Sequence, residues 1–218
     1  MGTRSIIIVL LMLSVHGMLH AGTVLGGSLA VRSDPLYGMQ AEAELHVDTD
    51  GYRLGVAVSP MTSRLSAMYS LSGGGDFRMD ILSSAYHNWA LRGGMATASY
   101  SLGQDLDFSG IRLDYRLGII GGLAYSGHVR ELHFSLSPNL ILGIGYFSSV
   151  FSARLYLAFE DFYETSFQSV PVLGLETAVG FLDYRLTAEG YMKFADYMDG
   201  ATILISDLVI RLGCEVML

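Results

Sequence analysis

Hydrophobic and polar residues alternate one by one along most of the chain, a period typical of β-strands with one apolar face. The segment 111–119 shows the pattern most clearly, since Arg112, Asp114 and Arg116 each lie between apolar neighbours. After residue 22 there is no apolar run of about 18 residues, the length that a membrane-spanning helix needs. The pattern predicts an all-β chain.

Turn signals divide this alternation into strands. Asp48-Thr49-Asp50-Gly51 and Leu182-Asp183 are short enough for hairpin turns. The predicted strands are 23–32, 36–47, 52–59, 64–72, 78–87, 90–102, 109–125, 130–146, 150–160, 171–181, 184–195 and 204–218.

The strand number stays open between about eight and twelve. The segment 78–87 is the weakest strand, because its serine pair also fits a long loop, and Arg92 blurs the alternation of 90–102. Omitting 78–87 leaves an odd count, which bacterial single-chain barrels avoid. Ten or twelve strands are predicted if these boundaries hold, and eight if adjacent runs fuse.

Three features favour a closed antiparallel transmembrane β-barrel, an up-and-down meander, over a soluble sandwich. The polar face combines arginine with acids, and Lys193 is the only lysine. The final strand runs to the last residue. Aromatic residues also mark predicted strand ends, as in interfacial girdles: Tyr37, Tyr69, Tyr100, Tyr125, Tyr146, Phe147, Phe181 and Tyr184.

The N-terminus has the organisation of a secretory signal peptide. Arg4 supplies the positive charge, 6–15 forms a short apolar stretch, and Leu19-His20-Ala21 fits a cleavage site. We therefore expect a signal peptide over 1–21, export, and a single barrel domain over 22–218.

Composition excludes several functions. The chain has 218 residues, a net charge of −8 and no basic run, so nucleic acid is not an expected partner. Cys214 is the only cysteine, which excludes an internal disulfide and multi-cysteine metal sites.

The last strand resembles the C-terminal assembly signal of outer-membrane barrels. Arg211, Gly213, Val216 and Leu218 occupy its polar, glycine and hydrophobic positions, although the last two are aliphatic where that signal favours aromatic residues. With the signal peptide and chain size, the pattern is similar to the small OmpW-like or OmpA/OmpX-like barrels. That resemblance implies location in the bacterial outer membrane, contact with its lipid bilayer, and insertion by the barrel-assembly machinery through the C-terminal strand.

The charged and polar positions of the strands predict a lumen lining. The predicted lining residues are Arg53, Arg64, Arg112, Asp114, Arg116, Glu131, His133, Arg154, Glu160, Glu176, Arg185, Glu189, Arg211 and Glu215. Glu42, Glu44 and Lys193 share that parity. Such residues either lock the interior in a salt-bridge network or select solutes along a narrow passage.

Catalytic and metal sites are not predicted, and neither is a cofactor. Glu131, His133 and Ser135 share a face, yet a hydrogen-bonded histidine explains them better than a catalytic set, and no Gly-x-Ser-x-Gly elbow occurs. His46 beside Glu42 and Glu44 favours hydrogen bonding over cation binding.

The expected function is therefore non-enzymatic: a narrow channel or porin-like conduit for small solutes, hydrophobic ones included. One alternative is a structural or adhesin-type surface barrel without transport, with loops near 73–89, 161–170 and 196–203 facing outward. Another is a periplasmic barrel that encloses a lipid.

Overall fold

The computed structural model describes residues 22–34, 38–72, 77–89, 92–126, 131–162, 169–195 and 204–218. The predicted signal peptide, 1–21, lies outside them. The described residues contain no helix that is both long and apolar enough to span a membrane. The strands are β1 Val24–Asp34, β2 Gly38–Thr49, β3 Tyr52–Val58, β4 Thr62–Ser72, β5 Phe77–Asn88, β6 Gly93–Phe108, β7 Ile111–Ser126, β8 Glu131–Phe147, β9 Phe151–Phe162, β10 Ser169–Phe181, β11 Tyr184–Ala195 and β12 Leu204–Met217.

Each strand pairs antiparallel with the next one in the chain, and β12 pairs with β1 to close the ring. The predicted all-β, closed, up-and-down meander is confirmed, and the strand number is twelve. The segment 78–87, the weakest prediction, forms β5 and pairs on both sides. Its adjacent serines, Ser83 and Ser84, are each paired with residues of both β4 and β6, so they do not interrupt the strand.

Two regions differ from the prediction. β6 extends to Phe108, where the sequence suggested an end at 102, and Arg92 lies in the preceding turn with a positive φ of 48°. The expected outward loop at 73–89 is mostly strand β5. Its connection to β4 lies at the end of the barrel that holds both termini, opposite the connections after β9 and β11.

Tight turns join strands at the end that holds the termini. Ser109 and Gly110 both have positive φ, as a two-residue type I′ hairpin turn requires. The Asp107 side chain accepts a hydrogen bond from the Gly110 amide at 3.3 Å. Gly51, at φ 83°, turns β2 into β3 at the same end.

The outer face of the barrel is apolar. Among the described side chains that point outward from strands there is no Asp, Glu, Lys or Arg. Leu155, Leu175 and Ile210 are about half exposed there. Such a surface matches a lipid-facing wall.

Aromatic residues mark the rim only in part. Tyr146, Phe181 and Tyr184 point outward near the end with the termini. Tyr100, expected at a strand end, lies in the middle of β6, and Phe147 points inward. Tyr37 lies outside the described residues.

Candidate functional site

The charges of the barrel face its lumen. Residue parity and strand register place all the described cations of the strands on the inner face. They are Arg32, Arg53, Arg64, Arg78, Arg112, Arg116, Arg154, Arg185, Lys193 and Arg211. Acids lie among them: Glu42, Glu44, Asp48, Asp80, Asp105, Asp107, Asp114, Glu176, Glu189 and Glu215. Among these described side chains the two signs are equal in number, so this part of the lumen is polar and its charges are balanced.

Arg211 is the centre of one ion-pair cluster. Its guanidinium donates to Glu189 Oε2 at 2.9 Å and lies 3.6 Å from carboxylate oxygens of both Glu42 and Glu44. Arg64 approaches Glu44 from the other side at 3.3 Å. Two cations therefore share three carboxylates, which balances most of the charge in a partly buried site.

Arg154 forms a second cluster. Its Nε donates to Asp114 Oδ1 at 2.9 Å, and its Nη1 lies 3.3 Å from Glu176 Oε2. The guanidinium also stacks over the Tyr156 ring, 5.1 Å from the centroid. Asp114 is buried, so this bidentate, charge-assisted pair replaces the water it has lost.

Gly143 makes the Arg154–Asp114 pair possible. Asp114 lies on β7 and Arg154 on β9, and Gly143 occupies the strand between them. A Cβ at residue 143 would overlap Asp114 Oδ1 and lie 2.7 Å from Arg154 Nε. The pair therefore crosses a whole strand through the space that a missing side chain leaves.

Two further lumenal contacts also cross a strand over a glycine. Tyr156 on β9 lies over Gly174 and donates from its hydroxyl to Glu189 on β11 at 2.8 Å. His46 on β2 lies over Gly26, and its Nε2 is 3.4 Å from Glu215 on β12. Because these contacts skip a strand, each of them holds three neighbouring strands of the wall together.

A third cluster surrounds the buried Asp80. Arg78 Nε donates to its Oδ1 at 2.7 Å, and Arg116 Nη1 lies 3.2 Å from its Oδ2. Ser70 Oγ donates to the same carboxylate at 2.5 Å. These contacts join β4, β5 and β7.

Three cavities between described residues lie within the lumen. One of about 280 Å³ lies toward the end away from the termini, between Arg32, Tyr86 and Lys193. A second of about 280 Å³ and a third of about 850 Å³ lie toward the end with the termini. Glu189 borders all three. Arg211 borders the first and second cavities, and Arg154 borders the second and third.

Eleven of the fourteen predicted lining residues fall into two groups. The deep group consists of Arg64, Asp114, Arg116, Arg154, Glu176, Glu189 and Arg211, all in the clusters above. The outer group lies toward the rims, where Arg53 pairs with Asp48 at 2.6 Å, Arg112 with Asp107 at 3.2 Å, and Arg185 with Glu215 at 3.5 Å.

His133 points inward and is exposed. Glu131 and Glu160 lie in β8 and β9, but their side chains are outside the described set.

Sequence reasoning missed Arg78, Asp80 and Tyr156 as lining residues. Arg78 and Asp80 belong to the segment that also fitted a loop, although their spacing of two already placed them on one face. Tyr156 gave no signal of its own, because a tyrosine fits either face of a membrane strand.

The residues of the predicted assembly signal lie on the strand that closes the barrel. Arg211 and Gly213 point inward and Val216 outward, and the Leu218 amide donates to the Thr23 carbonyl at 2.8 Å. Cys214 is exposed on the outer face.

The described residues hold no group of three His, Cys, Asp or Glu side chains arranged to bind a metal ion. His46, whose neighbours Glu42 and Glu44 suggested weak cation binding, faces Glu215 instead.

Comparison with known proteins identifies structures with the same fold but no relative by sequence. No protein-family model and no curated protein matches the chain. Among solved structures, the NanC porin superposes with a TM-score of 0.54 at 11% identity, covering 89% of this chain and all of its own. The KdgM porin in complex with disordered oligogalacturonate gives 0.53 at 9%, covering 89% and 99%. The β domain of the Bordetella autotransporter BrkA gives 0.54 at 12%, covering 90% and 99%. The chain thus has the fold of the outer-membrane β-barrels.

Proposed function

We propose that this protein is a non-enzymatic outer-membrane channel whose lumen conducts small polar solutes along the barrel axis. The observation that carries the proposal is the row of three cavities, which adjoin at Glu189 and are lined by charged side chains. Conduction of this kind involves no catalytic step, because the lumen acts on a solute through positioning and electrostatics alone.

The proposal also fixes an orientation. Outer-membrane barrels have short periplasmic turns and longer extracellular loops, so the end with the termini and the tight turns faces the periplasm. Residues 1–21 would direct export, and the strand 211–218 would be recognised by the assembly machinery. NanC and KdgM are both described as porins.

The subfamily stays a proposal as well. Eight strands give an interior that side chains just fill, as in OmpA/OmpX-type barrels. Twelve strands enclose more space, which favours a conduit over a filled post. The polar axis of this lumen does not favour the more specific OmpW-like role, the passage of small hydrophobic molecules.

Planar-bilayer recording of the purified, folded protein tests the proposal. We expect small single-channel currents with weak ion selectivity, because the described lumenal side chains carry equal numbers of positive and negative charges. Folded protein that never conducts would contradict the proposal.

Two substitutions, one removing a positive charge and one removing a negative charge, test whether ions pass through these cavities. Arg211→Gln leaves Glu42, Glu44 and Glu189 in excess, so the reversal potential in a salt gradient should shift toward cations, and the conductance should rise. Glu189→Gln should shift it toward anions. Arg112→Gln is the matched control, because Arg112 lies at the rim and borders none of the three cavities. Equal shifts in all three variants would place the current outside this path.

A further inference from the structure

Arg78 and Arg116 approach the same carboxylate from two different strands. Arg78 lies on β5 and Arg116 on β7, and the strand register places both of them opposite Gly103 of the intervening β6. A Cβ at residue 103 would lie only 2.8 Å from Arg116 Cγ. The glycine therefore leaves space between the two arginines, and Arg116 extends across it toward Asp80 on β5.

Asp80 satisfies the two guanidinium groups unequally. Its Oδ1 accepts a hydrogen bond from Arg78 Nε, and Arg78 Nη2 donates to Ser70 Oγ at 3.1 Å. Arg116 Nη1 lies 3.2 Å from Asp80 Oδ2, but the contact is not a hydrogen bond, because that oxygen has no hydrogen-bond partner among the described residues. Arg116 Nε has no hydrogen-bond partner there either. Arg116 is thus attracted to Asp80 but retains donors that Asp80 does not take.

The charges of this cluster are also unequal. Two cations, Arg78 and Arg116, share the single carboxylate of Asp80. The Arg116 side chain is only 16% exposed, so water covers little of it. Buried donors without acceptors cost free energy, and more so when the group is charged. An anion with acceptor oxygens would balance the extra charge and accept from the terminal nitrogens of the guanidinium groups.

The neighbouring carboxylates do not take this role. Asp105 is the next inward residue of β6 toward the rim, yet it forms no ion pair with Arg78 or Arg116, and its Oδ1 has no hydrogen-bond partner among the described residues. Glu176, which borders the same cavity as the two arginines, lies 3.3 Å from Arg154 instead. The two arginines are therefore left with Asp80 alone.

Both arginines border the third lumenal cavity, the one of about 850 Å³. Protein pockets of roughly 300–1,000 Å³ hold small molecules. A guanidinium presents a planar fork of N–H donors, which matches two oxygens of a carboxylate or a phosphate. The cavity thus places space for a solute directly before donors that suit an oxyanion.

We propose that Arg78 and Arg116 form a binding site for small oxyanions, the carboxylate or phosphate groups of solutes in the lumen. One oxygen of the anion would accept from a terminal nitrogen of Arg116, and another from a terminal nitrogen of Arg78, above Gly103. The role of the site, to hold oxyanions on their way along the lumen, rests on the proposed channel; binding itself requires no conduction.

Phosphorus NMR of inorganic phosphate, added to the full chain folded in lipid nanodiscs, measures binding directly. The phosphate line should broaden with the wild-type protein, and the broadening should saturate as phosphate is raised at constant ionic strength. Arg116→Gln should reduce the broadening several-fold. Arg112→Gln is the matched control, because it removes the same charge from another inward residue of β7 that borders none of the three cavities.

Two results would overturn the site. The first is a wild-type protein that does not broaden the line. The second is equal broadening in Arg116→Gln and Arg112→Gln, which would mean that phosphate responds only to the overall charge of the protein.

Acetate, followed by saturation-transfer NMR, separates the two kinds of oxyanion. Competition between acetate and phosphate supports one site that recognises either group, and binding of phosphate alone supports a site for dianions. Chloride at the same ionic strength should displace neither. Displacement of phosphate by an equal concentration of chloride would overturn the proposal, because the site would then be a patch of positive charge with no preference for oxyanions.

A measurement on the wild-type protein keeps the test decisive if Arg116→Gln fails to fold. Phenylglyoxal forms adducts with guanidinium groups, and mass spectrometry locates them along the chain. Phosphate should slow the reaction of Arg78 and Arg116 several-fold. Arg185, which borders a different cavity, should keep its rate. Unchanged rates at Arg78 and Arg116 would overturn the proposal.

Failure of the channel and failure of the site give different results. If the protein is no channel, bilayer currents are absent while phosphate still binds in nanodiscs. If the site is wrong, the phosphate line stays sharp even where current flows. When both proposals hold, phosphate added to a chloride solution should lower the current through the wild-type protein and leave that through Arg116→Gln unchanged.

Discussion

The Arg154–Asp114 pair deep in the lumen and the ion pairs at its rim are built in different ways. Arg154 and Asp114 are 17% and 5% exposed and reach each other across an intervening strand. Arg53 and Asp48 are 44% and 31% exposed and lie opposite each other on adjacent strands. Arg112 and Asp107 repeat the rim arrangement.

The difference shows how depth governs the way a charge is stabilised. At the rim, water solvates whatever the partner leaves uncovered, so a short hairpin pair suffices. Deep in the lumen each charge needs its partners in place, since an unpaired buried charge is strongly destabilising. Small residues on the intervening strands let the long arginine side chains reach those partners.

The largest effect should come from breaking a deep pair. Arg154→Met leaves Asp114 buried without its cation, and we expect the folded barrel to lose about 3–5 kcal/mol, the usual range for half of a buried pair. Urea unfolding in lipid vesicles, followed by heat-modifiable gel migration, measures the loss. The double variant Arg154→Met, Asp114→Leu should recover much of it; equal losses in both would mean that the charge is not the cause.

A smaller effect should come from closing the space that the deep pair uses. Gly143→Val places carbon where Asp114 Oδ1 and Arg154 Nε now lie, and overpacking of this kind costs about 1–3 kcal/mol. The same unfolding assay measures it. Gly121→Val is the control, because its nearest atom would be 3.7 Å from the new Cβ. A Gly143→Val protein as stable as that control would show that the crossing needs no glycine.

The smallest effect should come from the rim. Arg53→Met removes an exposed pair, and we expect a loss between zero and about 1 kcal/mol that shrinks further in high salt. Unfolding at two salt concentrations measures it. A loss as large as that of Arg154→Met would remove the distinction between deep and rim pairs.

Much of the barrel could be predicted from the sequence because its strands carry a strict alternation. Charges never appear on the described outer face, so each run of alternation reports both a strand and its orientation. Errors arose where that signal is interrupted: Arg92 belongs to a turn, and polar residues at 103–107 continue β6 although they suggested a loop. The predicted strand end at 102 also gave Tyr100 a rim position, whereas β6 continues to Phe108 and leaves Tyr100 near the middle of the strand.

The partners of the charged residues were less predictable, and the reason is geometric. Rim pairs such as Asp48 and Arg53 flank a tight turn, so hairpin register nearly specifies them. Asp114 and Arg154 are 40 positions apart, and their meeting depends on Gly143 and on the tilt of three strands together.

Closure of the ring through β1 and β12 has a consequence for assembly. The two strands lie at opposite ends of the barrel sequence, so every partly built intermediate carries two open edges with unpaired N–H and C=O groups. Such edges recruit any extended strand within reach, and pairing distant strands is slow. An incomplete sheet of this chain can therefore pair with strands of other proteins until β12 pairs with β1.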